Sequence, residues 1–324
     1  MNLPLSLLDR SRTRTGHPDA QSLTQTVRRA QHAEAAGYRR LWVAEHHAVP
    51  GIGSGAPALM IQAVAHATSR IRVGSGGVML PNHRPLLVAE QFAMLTALHG
   101  DRIDVGVGRS LGFTAPVREA LGTHEAPVER FVADIGALRD FLTGAGPVTA
   151  RPAGVTPPPL FVLGTGSGLE IAARLGLPAV VGGPAVWAGP EAFDAYRESF
   201  RPSPGQPEPY LVVSLDLFVA DSARQARELA LPEAWAMAVA RRDGAFPPLG
   251  PRADVPERLG DRERTTVERA VGASIAGTED EVMAGLTALV RRTGADEIMS
   301  TASTFDVEAM YESDRRLAAA VRAA

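Results

Sequence analysis

The chain has 324 residues, enough for two average domains or one large α/β barrel, with 45% hydrophobic residues, 21% charged residues and a net charge of -3. That balance leaves no basic surplus to hold a nucleic-acid backbone or an anionic membrane. Cysteine and lysine are both absent, all 33 basic residues being Arg, which excludes disulfides, thiolate nucleophiles, Cys-ligated zinc, iron–sulfur clusters and lysine Schiff bases.

Leu3–Leu8, ending in Asp9, reads as a buried first strand. From Ser22 to Ala36 the apolar positions Leu23, Val27, Ala30 and Ala33 recur at helical spacing, with Ser22 as the cap and Gly37 as the stop. Leu41–Ala44 is a second strand that runs into Glu45-His46-His47, and Pro57–Ser69 is a helix. The stretch Ile71–Pro85, IRVGSGGVMLPNHRP, is a third strand with Gly76 and Gly77 where a strand normally carries bulk. Paired glycines there fit either a bulge that helps a barrel close or the close approach of something flat. Pro85–His99 is helical, Arg102–Arg109 (RIDVGVGR) is a fourth strand, and a loop leaves from Ser110 to Thr123.

The alternation continues through a helix at Glu125–Leu142, a fifth strand at Leu160–Leu163, a helix at Leu169–Leu175 and a sixth strand at Ala179–Val181. A helix at Pro190–Phe200, a seventh strand at Tyr210–Val219, an eighth at Glu297–Met299 and a helix at Val307–Val321 complete it. About 75 residues separate the last two strands, too many for a single connection. Helices at Ser222–Arg241 and Glu279–Arg292 fit there, and Asp243–Asp261, crowded with Pro, Gly and mixed charge, reads as a mobile loop. Strands alternating with helices imply parallel pairing. The expectation is a single (β/α)8 TIM barrel over residues 1–324, with a long insertion between strands 7 and 8. MNLPLSLLDRSRTR has too short an apolar run for a signal peptide and no run approaches a membrane span, so a cytoplasmic protein is expected.

In such a barrel the site lies at the C-terminal ends of the strands. That rule selects Asp9, Glu45-His46-His47, Gly76–Met79, Gly108-Arg109-Ser110 and the GTGSG turn at Gly164–Gly168. His46 and His47 point to opposite faces of an extended chain, which disfavours a shared metal; one imidazole suits a general base or hydrogen-bond donor beside a cofactor, and the other packs. GTGSG opens a helix, where backbone N–H groups gather a phosphate, and Arg109 suits the same phosphate. The alternatives are a ligand-free turn and a salt bridge between loops. The turn lacks a dinucleotide fingerprint, and the region about twenty residues on, Gly182-Gly183-Pro184, has no acid for a ribose; one phosphate fits FMN better than FAD or a nicotinamide.

VAEHH at Val43–His47, VGSGGVMLPNHRP at Val73–Pro85, RIDVGVGR at Arg102–Arg109 and GTEDEV at Gly277–Val282 together resemble the bacterial luciferase-like flavin monooxygenases, almost end to end. The likeness is to the alkanal-monooxygenase-like branch of actinomycete biosynthetic pathways. It implies reduced FMN (FMNH2) delivered by a separate flavin reductase, O2 adding at the flavin C4a position, a small apolar organic substrate such as an aromatic polyketide in antibiotic biosynthesis, and a homodimer. It assigns His46 to catalysis, Gly76, Gly77 and Val78 to the flavin ring with a cis Gly76–Gly77 peptide, and Arg109, Thr165, Gly166 and Ser167 to the phosphate. No metal, nucleic acid or membrane is implied. At Gly164 the luciferase catalytic subunit carries a carboxylate that this chain lacks. An apolar, closable pocket is expected, with Val78, Met79, Phe113, Val181, Trp187 and Phe218 as lining or as core. Two other readings stay open: a deazaflavin-dependent oxidoreductase of the same fold, and a non-catalytic flavin-binding partner subunit.

Overall fold

Every barrel strand but one is buried at nearly all its positions, and each is returned to the same end of the sheet by a helical connection. The computed structural model describes residues 3–164 and 166–324. In chain order the first half contains β1 (Leu5–Asp9), α1 (Ala20–Ala36), β2 (Arg40–Val43), α2 (Pro57–Ala67), β3 (Arg72–Ser75), β4 (Val78–Met79), α3 (Pro85–His99), β5 (Ile103–Gly108), α4 (Ala115–Leu121) and α5 (Val128–Thr143). There follow β6 (Leu160–Gly164), α6 (Gly168–Leu175), β7 (Ala179–Gly182), α7 (Pro190–Ser199), β8 (Leu211–Leu215), β9 (Leu217–Val219) and α8 (Ala223–Asp243). The chain ends with α9 (Asp261–Gly272), β10 (Ile275–Gly277), α10 (Glu279–Thr293), β11 (Glu297–Ser300) and α11 (Val307–Ala323).

The strands run in the order β3-β2-β1-β11-β8-β7-β6-β5-β4, and β3 also pairs with β5, which shuts the ring. Taking β3 and β4 as one stave interrupted at Gly76-Gly77, this is the expected eight-stranded parallel barrel. Alternation along the strands divides the core. Leu7, Leu41, Val73, Val105 and Ile298 join the layer beneath the helices, whereas Leu8, Trp42, Phe161, Val180 and Met299 fill the interior. At the N-terminal end of the barrel the filling is ionic: Arg40 bridges Asp104 (2.7 Å) and Glu297 (2.8 Å), and Arg72 reaches Asp104 (2.6 Å).

Several local expectations are corrected. Ser22 lies inside α1, which begins at Ala20 after Asp19. The predicted strand Tyr210–Val219 is two strands, since β9 turns away at Asp216 to pair with β10. The Ser110–Thr123 loop contains α4, which has no buried residue, and α9 buries only Val267 and Val271. Stripes that sparse leave little period to read. The Asp243–Asp261 segment, expected to be mobile, is held across the barrel mouth. Gly51 N–H donates to the Phe246 carbonyl (2.8 Å) and Leu249 N–H to Thr13 (2.9 Å), and Leu249 and Val255 are buried. Among the described residues no helix is long and apolar enough to cross a membrane.

Candidate active site

A cavity of about 580 Å³ opens at the C-terminal end of the barrel, and Gly76, Gly77, Gly108 and Gly182 all line it. The glycines are there for two different reasons. A Cβ on Gly77 would meet the Gly106 carbonyl oxygen at 2.8 Å, because the neighbouring strands approach too closely for a side chain. A Cβ on Gly108 would meet nothing nearer than the Leu163 carbonyl oxygen at 3.9 Å, so a side chain there would occupy the cavity itself. The Gly76–Gly77 peptide is cis, as expected.

Beyond β2 the chain turns, which sends Glu45 inward and His46 to the cavity wall. The His46 ring stacks on Phe113, with centroids 5.6 Å apart, and its Nδ1 is buried without a hydrogen-bond partner among the described residues. Burial, reinforced by the Arg10 and Arg12 charges, lowers its pKa to about 4. The imidazole is therefore neutral at neutral pH. His47 turns instead to the Glu45 carboxylate. Its Nε2 meets Glu45 Oε1 at 2.6 Å, where His83 Nε2 also arrives at 2.7 Å, while Met79 N–H donates to the other oxygen at 2.9 Å. Burial raises the Glu45 pKa, but these hydrogen bonds outweigh it and hold the group at about 2. Glu45, His47 and His83 are also the right residue types for a metal. However, nitrogen–oxygen separations of 2.6–2.7 Å are hydrogen-bond lengths, whereas tetrahedral zinc would hold such atoms about 3.3 Å apart.

Other predicted site residues lie elsewhere. Val78 packs into the main core and its side chain is not on the cavity wall. Arg109 is exposed, and its Nη1 donates to the Ala126 carbonyl (2.8 Å), on the connection before α5. Gly166 and Ser167 are exposed at the start of α6, Gly164 lines the cavity, and Thr165 lies outside the described residues. A Cβ at Gly164 would meet the Gly168 Cα at 2.7 Å, so a carboxylate there requires a shifted helix start. Met79 and Phe113 line the cavity as expected, but Val181 and Phe218 are buried in core clusters and Trp187 lines a neighbouring cavity. Asp9 faces α1, accepting from Arg29 (3.0 Å) and Thr26 (2.7 Å), and serves as a clamp. Ser110 lies on the wall as the strand-end rule expects, whereas sequence reasoning missed Leu8, Leu111, Gly112 and Ser214 there, and the partnership of His83 with Glu45, 38 positions away.

These shifts fix the acid limb of stability. Between pH 6.5 and about 4 the unfolded chain binds a proton at His46 that the native site refuses, so stability falls as pH drops through that window. The Glu45 contribution is complete above pH 4.5 and is lost as pH falls toward about 2. Thermal unfolding of His46→Gln is expected to decline less than that of the parent between pH 6.5 and 4. An equal decline in both would refute a buried neutral His46.

A family described as luciferase-like monooxygenase matches residues 1–297. A luciferase-like monooxygenase of Escherichia coli (strain K12) is 34% identical over 322 residues, covering 96% of this chain and 95% of its own. N-acetyl-S-alkylcysteine monooxygenase of Bacillus subtilis (strain 168) is 40% identical over 182 residues, covering 53% of this chain and 54% of its own. Among solved structures, apo-MsnO8 superposes with a TM-score of 0.87 at 32% identity over 99% of each chain. The same fold recurs at 17% identity in the oxygenating constituent of 3,6-diketocamphane monooxygenase in complex with FMN, from the CAM plasmid of Pseudomonas putida (TM-score 0.72, 98% and 97% coverage). It recurs again at 17% in an F420-dependent secondary alcohol dehydrogenase in complex with an F420-acetone adduct (TM-score 0.67, 99% and 100% coverage).

Proposed function

The chain belongs to the luciferase-like monooxygenase family, and from that premise we propose that it oxygenates a small apolar organic molecule with O2 and FMNH2, the FMNH2 coming from a separate flavin reductase in the cytoplasm. The observation that carries this reading is the glycine-floored cavity with the neutral His46 imidazole on its wall. A planar ring suits a wall made of Gly76, Gly77 and Gly108, where a side chain at Gly108 would take the same space. When bound, the flavin supplies the electrons that activate O2, one oxygen atom going to the substrate and the other to water.

The remaining work falls to the chain. The neutral His46 imidazole would offer the bound ring a hydrogen bond without carrying a charge into the site. Leu8, Ala44, Met79 and Leu163 keep water off the reacting atoms, and Phe246 meets Phe113 edge-on at 5.5 Å over the mouth. Gly166, Ser167 and Thr165 would hold the phosphate, with Arg109 leaving the Ala126 carbonyl to join them. Arg109→Ala is expected to weaken FMN binding, read by quenching of flavin fluorescence, by about tenfold or more. Unchanged affinity would remove Arg109 from the site. O2 consumption with reduced FMN tests the cofactor; turnover with reduced F420 and none with reduced FMN would favour the hydride-transfer alternative.

A homodimer is proposed from the outer helices. Leu87, Met94 and Leu98 share one face of α3 and are exposed, as is Leu59 on α2. Sedimentation should show a dimer that Leu98→Arg dissociates. A monomeric parent protein would overturn this.

A further inference from the structure

A second cavity, of about 520 Å³, lies beside the first and shares Leu8, Gly182 and Ser214 with it. Its size is ordinary for a small-molecule site. The barrel contributes Trp187 and Leu215, while the insertion roofs it with Ala234 and Met237 from α8 and Ala270 from α9. This apolar enclosure also carries charge. Glu233 and Asp216 face Arg10, Arg241 and Arg269, but both acids are already engaged by the interior. Glu233 is bridged by Arg10 (3.0 Å) and Arg12 (2.9 Å), and Asp216 accepts from Thr301 Oγ1 (2.5 Å).

The two remaining guanidiniums are not so engaged. Among the described residues, Arg241 and Arg269 form no ion pair, although the adjacent Arg242 holds both Asp243 and Glu263. Solvation alone explains a single exposed Arg. Two of them, from two different helices, on the wall of one apolar cavity give that wall three guanidiniums against two carboxylates, an excess of positive charge.

We propose that this second cavity takes the substrate and that the substrate is an apolar organic acid, its carboxylate held by Arg241 and Arg269 and its apolar body reaching toward Leu8 and Ser214, where the two cavities meet. The assignment rests on the oxygenase reading of the first cavity and adds to it the class of molecule oxidised. Arg241 and Arg269 set specificity at the far end and do not touch the reacting atoms.

The test needs binding alone and is done without flavin, so that a failure of the cofactor assignment leaves it intact. Decanoate and decanamide, and 2-naphthoate and 2-naphthamide, are titrated calorimetrically against the full chain. Each acid is expected to bind about tenfold or more tightly than its amide, with the advantage shrinking as salt rises. Arg241→Gln/Arg269→Gln, altered only at exposed positions, should erase the acid's advantage while FMN binding, measured separately, stays unchanged. Ala270→Trp, which fills the cavity from a half-buried position, should abolish binding of acid and amide alike, with circular dichroism confirming the fold. Equal affinity for acid and amide, an advantage that survives the double substitution, or acid binding that survives Ala270→Trp in folded protein would each overturn the proposal.

Discussion

Replacing Asp104 by Ala is expected to destabilise the protein by about 3–5 kcal/mol, a large share of the roughly 5–15 kcal/mol that holds a domain together. Asp104 is fully buried. One carboxylate oxygen accepts from Arg40 (2.7 Å) and the Trp42 indole N–H (3.0 Å), the other from Arg72 (2.6 Å and 3.0 Å). Arg40 also pairs with Glu297, which accepts in addition from Ser6 (2.5 Å) and Tyr210 (2.7 Å). The buried Arg40 and half-buried Arg72 thus balance Asp104 and Glu297 at the closed end of the barrel, with the exposed Arg39 3.8 Å from Glu297. Without Asp104 the indole N–H loses its acceptor, Arg40 keeps only Glu297 and the half-buried Arg72 guanidinium is left without a carboxylate, which is costlier than the pair was ever stabilising. Asp104→Asn keeps the shape and should cost less. Urea unfolding checks both, with a lower midpoint and an unchanged slope. A loss under about 1 kcal/mol for Asp104→Ala would mean that water or neighbouring groups take over the pairing.

For His46→Ala the large effect falls on turnover. Loss of a positioned proton donor or acceptor commonly costs 10²–10⁴ in rate, and a fall of about a hundredfold or more is expected in product formed per unit time. The measurement uses reduced FMN and a panel of apolar aldehydes, ketones and thioethers. The melting temperature at pH 7 should hardly move, because among the described residues His46 Nδ1 has no hydrogen-bond partner and the backbone N–H to the Ser54 carbonyl (3.1 Å) survives the change. FMN binding should persist, since the glycine floor is untouched. Product formation within about threefold of the parent would assign His46 to packing against Phe113 instead.

His46 and His47 show what a sequence can and cannot say about such a site. Adjacent residues at a strand end must diverge, and this separates the two rings without any coordinates. Which ring enters the cavity depends on the turn after Val43 and on Glu45, whose oxygen collects His47 and His83 from different loops. Arg109 has the residue type and the strand-end position that a phosphate requires, yet its side chain lies along the Ala126 carbonyl. A position on the chain does not set a rotamer.

The regular alternation of buried strands and helices, the bounds of the helix Pro85–His99, the left-handed stop at Gly37 and the interruption at Gly76-Gly77 were all determined by the sequence itself, because each depends on residue period or backbone freedom within a few positions. The division of Tyr210–Val219 into β8 and β9, the docking of Asp243–Asp261 over the mouth, the Arg40–Asp104–Glu297 plug and the union of Arg241 and Arg269 on one cavity wall were decided only by tertiary structure. Those features join residues 28 to 257 positions apart or sit where two elements meet. Their energies come from burial and charge pairing, which exist only once the ring has closed.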